Sequence, residues 1–367
     1  MIRKLTLAAM CLMVASPLMA APLDKSQIPA DAQWFIAVDV EGLVASKVGT
    51  AVIEEANKQG LDIMMDAAKG AIGFNPLKDL KTVTLYGTKF GADSGVIILE
   101  GKFDKDKIIR VLQLNKSFKQ DKIGDHTIYE WLDTLKGGQF GVSVSHAGGQ
   151  PTTDSKQPAD MKRFGAFHGD NKAVVATSDT LLKAALELLD GKGESIAKKD
   201  DKGIPSGKDA FVAAYVTNLE AADAKPEAAF LKKIAGGWFV MGEKDDAVFA
   251  RLAVTARDEA TGKDLGQVAD GFVALLRLVQ PPDGQKAVQT AKAGIEGLAS
   301  PEFVAIIKSI KVARQDLTVT VEASTPVKTV VELMKAAAAK ERSKKQSSPA
   351  APVAPAAPTV VQPETRE

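Results

Sequence analysis

Hydrophobic and polar residues alternate with period two along some stretches of this chain and recur every three to four residues along others. That mixture predicts strands interspersed with amphipathic helices. Strands are expected at 82–88 and 95–103, followed by a helix from Asp104 with Ile108, Val111 and Leu112 as its apolar stripe. Further on, strands at 237–242 and 247–256 precede a helix from about Lys263. Leu265, Val268, Phe272, Leu275 and Val279 recur there at helical spacing. Strands at 172–177 and 316–323 each lead into another amphipathic helix. Gly191 stands where a left-handed cap would close the earlier one, and Thr325-Pro326 opens the later one. Hairpins alternating with helices imply an α+β fold, with helices packed on one face of a mainly antiparallel sheet.

The pattern repeats along the chain. The segment from Phe35 to Ala45, FIAVDVEGLVA, aligns with FVAAYVTNLEA from Phe211 to Ala221, and an Asp-Ala pair precedes each. The helix sequences beginning at Thr180 and Thr325 align as well. The expected organisation is therefore two related α+β halves, 22–191 and 209–340, joined by a Gly/Lys/Asp-rich linker at 192–208. A long Gly-rich excursion interrupts the first half between Asp133 and Asp160. From 341 to 367 the chain is of low complexity, with Pro349, Pro352, Pro355 and Pro358 at the period of a polyproline II helix. A disordered tail is expected there.

The N-terminus changes the picture of where the protein works. Arg3 and Lys4 precede an apolar run, Pro17 and the small residues Ala20 and Ala21. The run has about 15 residues where a spanning helix needs about 20, so residues 1–21 read as a secretory signal peptide and the mature chain as periplasmic or secreted. The single cysteine, Cys11, lies inside it and lacks the residues that precede a lipidated cysteine. Formal net charge is +1, with Lys/Arg and Asp/Glu interspersed. Without a basic stripe, a nucleic-acid partner is not expected, nor is an integral membrane segment after cleavage.

Searching for chemistry excludes more than it finds. The three histidines, His126, His146 and His168, are too far apart in sequence to share a helical face. They are read as unrelated, and neither a metal nor a cofactor is expected. No nucleophile elbow and no phosphate-cradling loop is present. Asp39 interrupts an apolar strand and is read as a partly exposed strand residue, with Tyr215 at the matching position of the second half. Trp34, Trp131 and Trp238 remain as candidate binding residues, since an indole at the rim of a core can offer a stacking platform.

The stretch from Ile28 to Val40, IPADAQWFIAVDV, resembles the opening of uncharacterised bacterial secreted proteins that pair a signal peptide with a duplicated α+β region. That resemblance implies no activity and adds no site residues. The expectation is an exported, non-catalytic binding or scaffold protein of the cell envelope, with an envelope protein or polysaccharide as partner. A carboxylate-based hydrolase and a carrier of an apolar ligand are the alternatives.

Overall fold

The structure is a computed structural model that describes residues 23–91, 94–133, 161–198, 209–219, 226–278 and 301–347. The expected signal peptide, the excursion after Asp133 and most of the expected tail lie outside these residues.

Twelve strands form one continuous sheet in which every neighbouring pair is antiparallel. The first half contributes β1 (Trp34–Asp39), β2 (Leu80–Gly87), β3 (Gly95–Gly101), β4 (Lys119–Ile123), β5 (His126–Asp133), β6 (Met161–His168) and β7 (Lys172–Ala176). The second contributes β8 (Ala210–Thr217), β9 (Ile234–Lys244), β10 (Ala247–Ala256), β11 (Lys311–Gln315) and β12 (Thr318–Pro326). Their order is β11-β12-β10-β9-β8-β1-β2-β3-β7-β6-β5-β4. Counted outward from the central β1–β8 pair, the first five strands of each half appear in the same succession. The two edges, KQDKI in β4 and KVARQ in β11, carry charges that discourage further strand addition.

One row of directly opposed residues crosses the sheet. From Ala37 it runs through Thr84, Ile98, Val174 and Ala166 to Ile128. From Ala213, which faces Ala37, it runs through Val240, Arg251 and Glu322 to Lys311. Opposed residues share a face, so this row defines one face of the sheet. The neighbouring row, Ile36, Leu85, Ile97 and Val175 on one side and Ala214, Phe239, Leu252 and Val321 on the other, defines the opposite face.

Local sequence explains the helices. Asp39 ends β1 and caps α1 (Val40–Ala45), its Oδ1 accepting from the Gly42 N–H at 2.8 Å. The expectation of a partly exposed Asp39 is corrected: it is buried, because it is the cap joining strand to helix rather than a mid-strand side chain. Ser46 caps α2 (Lys47–Asn57). Gly60 and Gly73, both at positive φ, bound α3 (Leu61–Ile72). A short α4 (Pro76–Asp79) leads into β2, and Asp104 caps α5 (Lys105–Gln113) as expected. Asp245 and Asp246, both at positive φ, form the tight turn between β9 and β10.

In the first half, α6 (Asp179–Leu189) covers the Ile98 face. Leu182, Ala185 and Leu186 join Phe35, Tyr86, Val96, Ile98, Val174 and Ala176 in the principal core. The opposite face of this half carries α5 and its flanks, where Phe103 and Tyr129 pack on Phe167. In the second half the helices lie on that opposite face. One glycine of α7 (Glu259–Leu278), Gly266, sits against Val319, and α8 (Pro301–Ser309) packs on β12. From α9 (Val327–Ser347), Val327, Val330, Val331 and Met334 join Val48 of α2 and Val212, Met241 and Val248. Helices therefore cover one face in the second half, as expected, and both faces in the first.

Several boundaries moved, three of them with consequences for packing. The predicted linker is packed over its first part: Ser195 bridges Pro29, Ile196 donates to the Ile28 carbonyl at 2.9 Å, and Ile196 enters the core. Pro326 is the last residue of β12 rather than of a helical first turn. Helix α9 runs on to Ser347, seven residues into the expected tail.

Candidate functional site

The two histidines expected to be unrelated stand together, and that expectation is corrected. Although 42 positions apart in sequence, His126 opens β5 and His168 closes β6, and these strands pair in register. Ile128 faces Ala166, so two residues further on His126 faces His168. The rings stack with centroids 5.5 Å apart. The chain order concealed this because the excursion after Asp133 separates the strands in sequence but not in space.

A third group completes the cluster. Asp190 follows the last turn of α6 as its C-cap, and α6 lies over the same sheet face as the two imidazoles. His126 Nε2 is 3.3 Å from Asp190 Oδ2, and His168 Nε2 is 3.1 Å from Oδ1. Lys192 Nζ lies 3.2 Å from Oδ2 but is largely exposed. A carboxylate at a helix C-terminus faces the negative end of the helix dipole, so it requires cationic or donor neighbours. The hydrogen bonds from His126 and His168 hold its pKa down at about 2, against the opposing effect of burial. The three side chains are 20%, 22% and 25% exposed, shielded but reachable from solvent. The only sequence signal for this cluster was the small number of histidines and their positions at strand ends.

The three tryptophans do not converge. Trp34 and Trp131 lie on the face opposite α6, each against a glycine: Trp34 over Gly87, which it faces across the ladder, and Trp131 over Gly165. A side chain at either glycine would enter the indole, so the glycines are where these rings seat. The Trp34 indole N–H donates to the Lys89 carbonyl at 3.0 Å. Trp238 lies on the α6 face, directly across from Tyr215, and packs against the principal core. Tyr215 in turn stacks on Phe35.

Elsewhere on the α6 face, beyond the helix, no helix among the described residues covers the second half. A shallow groove of about 460 Å³ is lined by residues that include Val240, Phe249, Arg251, Glu322 and Ser324. An Arg251–Glu322 ion pair at 3.1 Å crosses its floor. On the opposite side of the molecule the helices present apolar side chains to solvent: Ile63 and Met64 on α3, and Val268, Phe272 and Leu275 on α7. Of the expected α7 stripe, Leu265 is partly covered while Val268, Phe272 and Leu275 face out, and Val279 lies outside the described residues; Ala269 and Val273 turn towards the sheet instead.

Several carboxylates outside the cluster are held below their ordinary range. Glu130 is lowered by Lys162, Asp170 by Lys105, and Asp258 by the Thr261 N–H. Burial pushes Asp24 up, but hydrogen bonds from Ser26 and Gln27 outweigh it. No helix among the described residues is long and apolar enough to cross a membrane.

Comparison with known proteins gives little. No family model matches the chain, and no curated protein matches it. Among solved structures it is similar to TP0453. Crystal form I superposes with a TM-score of 0.36 at 9% identity, covering 87% of this chain and 98% of that one. Form IV gives 0.39 at 8% identity, covering 86% and 97%. A likeness this weak carries no argument about function.

Proposed function

We propose that this is an exported, non-catalytic binding or scaffold protein of the cell envelope, built by duplication of one α+β unit. The observation that carries the binding role is the row of apolar side chains that α7 turns to solvent, Val268, Phe272 and Leu275, with Ile63 and Met64 exposed on α3. Such side chains cost solubility unless a partner covers them. The equal succession of strands outward from the β1–β8 pair supports duplication. The signal-like N-terminus supports export.

The partner class that fits is an envelope protein offering a complementary apolar surface. A photo-crosslinking residue placed at Phe272 in cells is expected to give discrete adducts in the envelope fraction. The same residue at Glu187, an exposed position on α6, is expected to give none. Equal labelling at both positions, or recovery of the mature protein from the cytoplasm, would contradict the proposal.

A further inference from the structure

The geometry points to a divalent transition-metal site of the zinc type formed by His126, His168 and Asp190. Zinc bonds to imidazole nitrogen and carboxylate oxygen at about 2.0–2.2 Å. In a tetrahedron with bonds of that length, neighbouring ligand atoms lie about 3.3–3.5 Å apart. The two Nε2-to-carboxylate distances, 3.3 Å to Oδ2 and 3.1 Å to Oδ1, are each close to that edge, though to different oxygens. With one oxygen taken from Asp190, the three ligand atoms lie within 4.8 Å of one another, so rotation of the carboxylate or of one imidazole brings both nitrogens onto the same ion.

In the metal-free arrangement the space between these atoms is filled by the protons through which each imidazole bonds its own oxygen of Asp190. A divalent ion replaces those protons, held by the two Nε2 atoms and one oxygen of Asp190. The ligands are well fixed. His126 and His168 are held by one β-ladder, and Asp190 by a helix whose Leu182 and Leu186 are buried in the core below. Two imidazoles and one carboxylate suit zinc and its first-row neighbours rather than calcium or magnesium, which take oxygen ligands. Three protein ligands leave one position for water. Lys192 is mobile enough at the surface to leave Asp190 when the ion arrives, since its side chain is 70% exposed.

The test is calorimetric titration of the untagged mature protein with Zn²⁺, paired with Co²⁺ titration followed by visible absorption. Saturable binding of one equivalent, with the intense bands of four-coordinate Co²⁺, is expected. Losing a residue that merely supports a ligand costs about 10–100-fold in metal affinity. The ligand variants His126→Ala, His168→Ala and Asp190→Asn should therefore each lose more than about 100-fold. Lys192→Ala should bind as tightly as the parent or more tightly. Thermal melts of the metal-free variants establish that each is folded. Asp190→Asn in particular retains a hydrogen-bond acceptor for the histidines, so its loss of affinity reports the ligand and not the fold. Absence of saturable binding in the parent protein overturns the proposal. So does binding that survives removal of any one of the three groups in a folded variant.

Discussion

At the same place in the sheet the two halves hold opposite chemistry. Counted outward from the Ala37–Ala213 pair, the third and fourth strands carry Ile98 and Val174 in the first half and Arg251 and Glu322 in the second. Ile98 and Val174 are 1% and 0% exposed, sealed beneath α6. Arg251 and Glu322 are each 41% exposed and form an ion pair on an open floor. Strand pairing and register are the same in both. What differs is the helix that follows the fourth strand: α6 folds back over this face, whereas the side chains of α9 pack on the other with α2 and α8. A β-ladder fixes where a residue sits, and the covering layer fixes what that residue must be.

Breaking the comparison at its buried end should have the largest effect. Ile98→Ala leaves a cavity beneath α6 and is expected to cost about 2–5 kcal/mol in chemical denaturation. Arg251→Ala, at the corresponding position, removes only an exposed ion pair worth about 0–1 kcal/mol. Similar losses at the two positions would mean that the second face is covered in solution. The next effect concerns the joint between the halves. Glu243 of β9 accepts from the Lys47 and Val48 N–H groups at the start of α2, at 3.2 and 3.0 Å. Lys47 also pairs with Asp246. Glu243→Ala is expected to lower stability by about 1 kcal/mol, as for the loss of a helix cap. Urea denaturation with an unchanged slope would check it.

Exchanging the chemistry sharpens the point further. Arg251→Ile with Glu322→Val copies the first half onto this floor, which no helix among the described residues covers. The expected result is little change in stability but concentration-dependent self-association by light scattering. The smallest effect concerns Asp190, whose pKa is lowered to about 2 by His126 and His168, with Lys192 also adjacent. A depressed carboxylate contributes stability that is present above its unfolded pKa of about 4. That contribution is lost as pH falls through about 2. In acid titration, Asp190→Asn should lack the parent protein's extra stability above about pH 4 and converge with it as pH falls to about 2.

Much of this was readable in the sequence, for physical reasons that also mark the limits. Period-two alternation located β10 at its observed bounds, 247–256, and the caps Asp104 and Gly191 behaved as their chemistry requires. Asp39 misled because a carboxylate ending a strand and one capping a helix look alike until the following turn is known. The α7 stripe misled because periodicity reports an apolar helical face without saying what lies against it. The His126–His168 pair was illegible because register between strands separated by a long excursion leaves no trace in local spacing. The single row from Lys311 to Ile128 was likewise hidden, since it depends on β1 pairing with β8 to join two halves that could each have closed separately.

Thiol labelling compares the two register positions, Val174 at 0% and Glu322 at 41% exposed, in a single protein. In a Cys11→Ser background the chain has no other cysteine, so Val174→Cys and Glu322→Cys each report a single site. The folded Glu322→Cys protein is expected to react with a maleimide nearly as fast as its urea-unfolded form. Val174→Cys should be slowed at least about 100-fold, as expected for a site opened only by unfolding. Equal protection of both thiols, or equal reactivity of both, would contradict that difference.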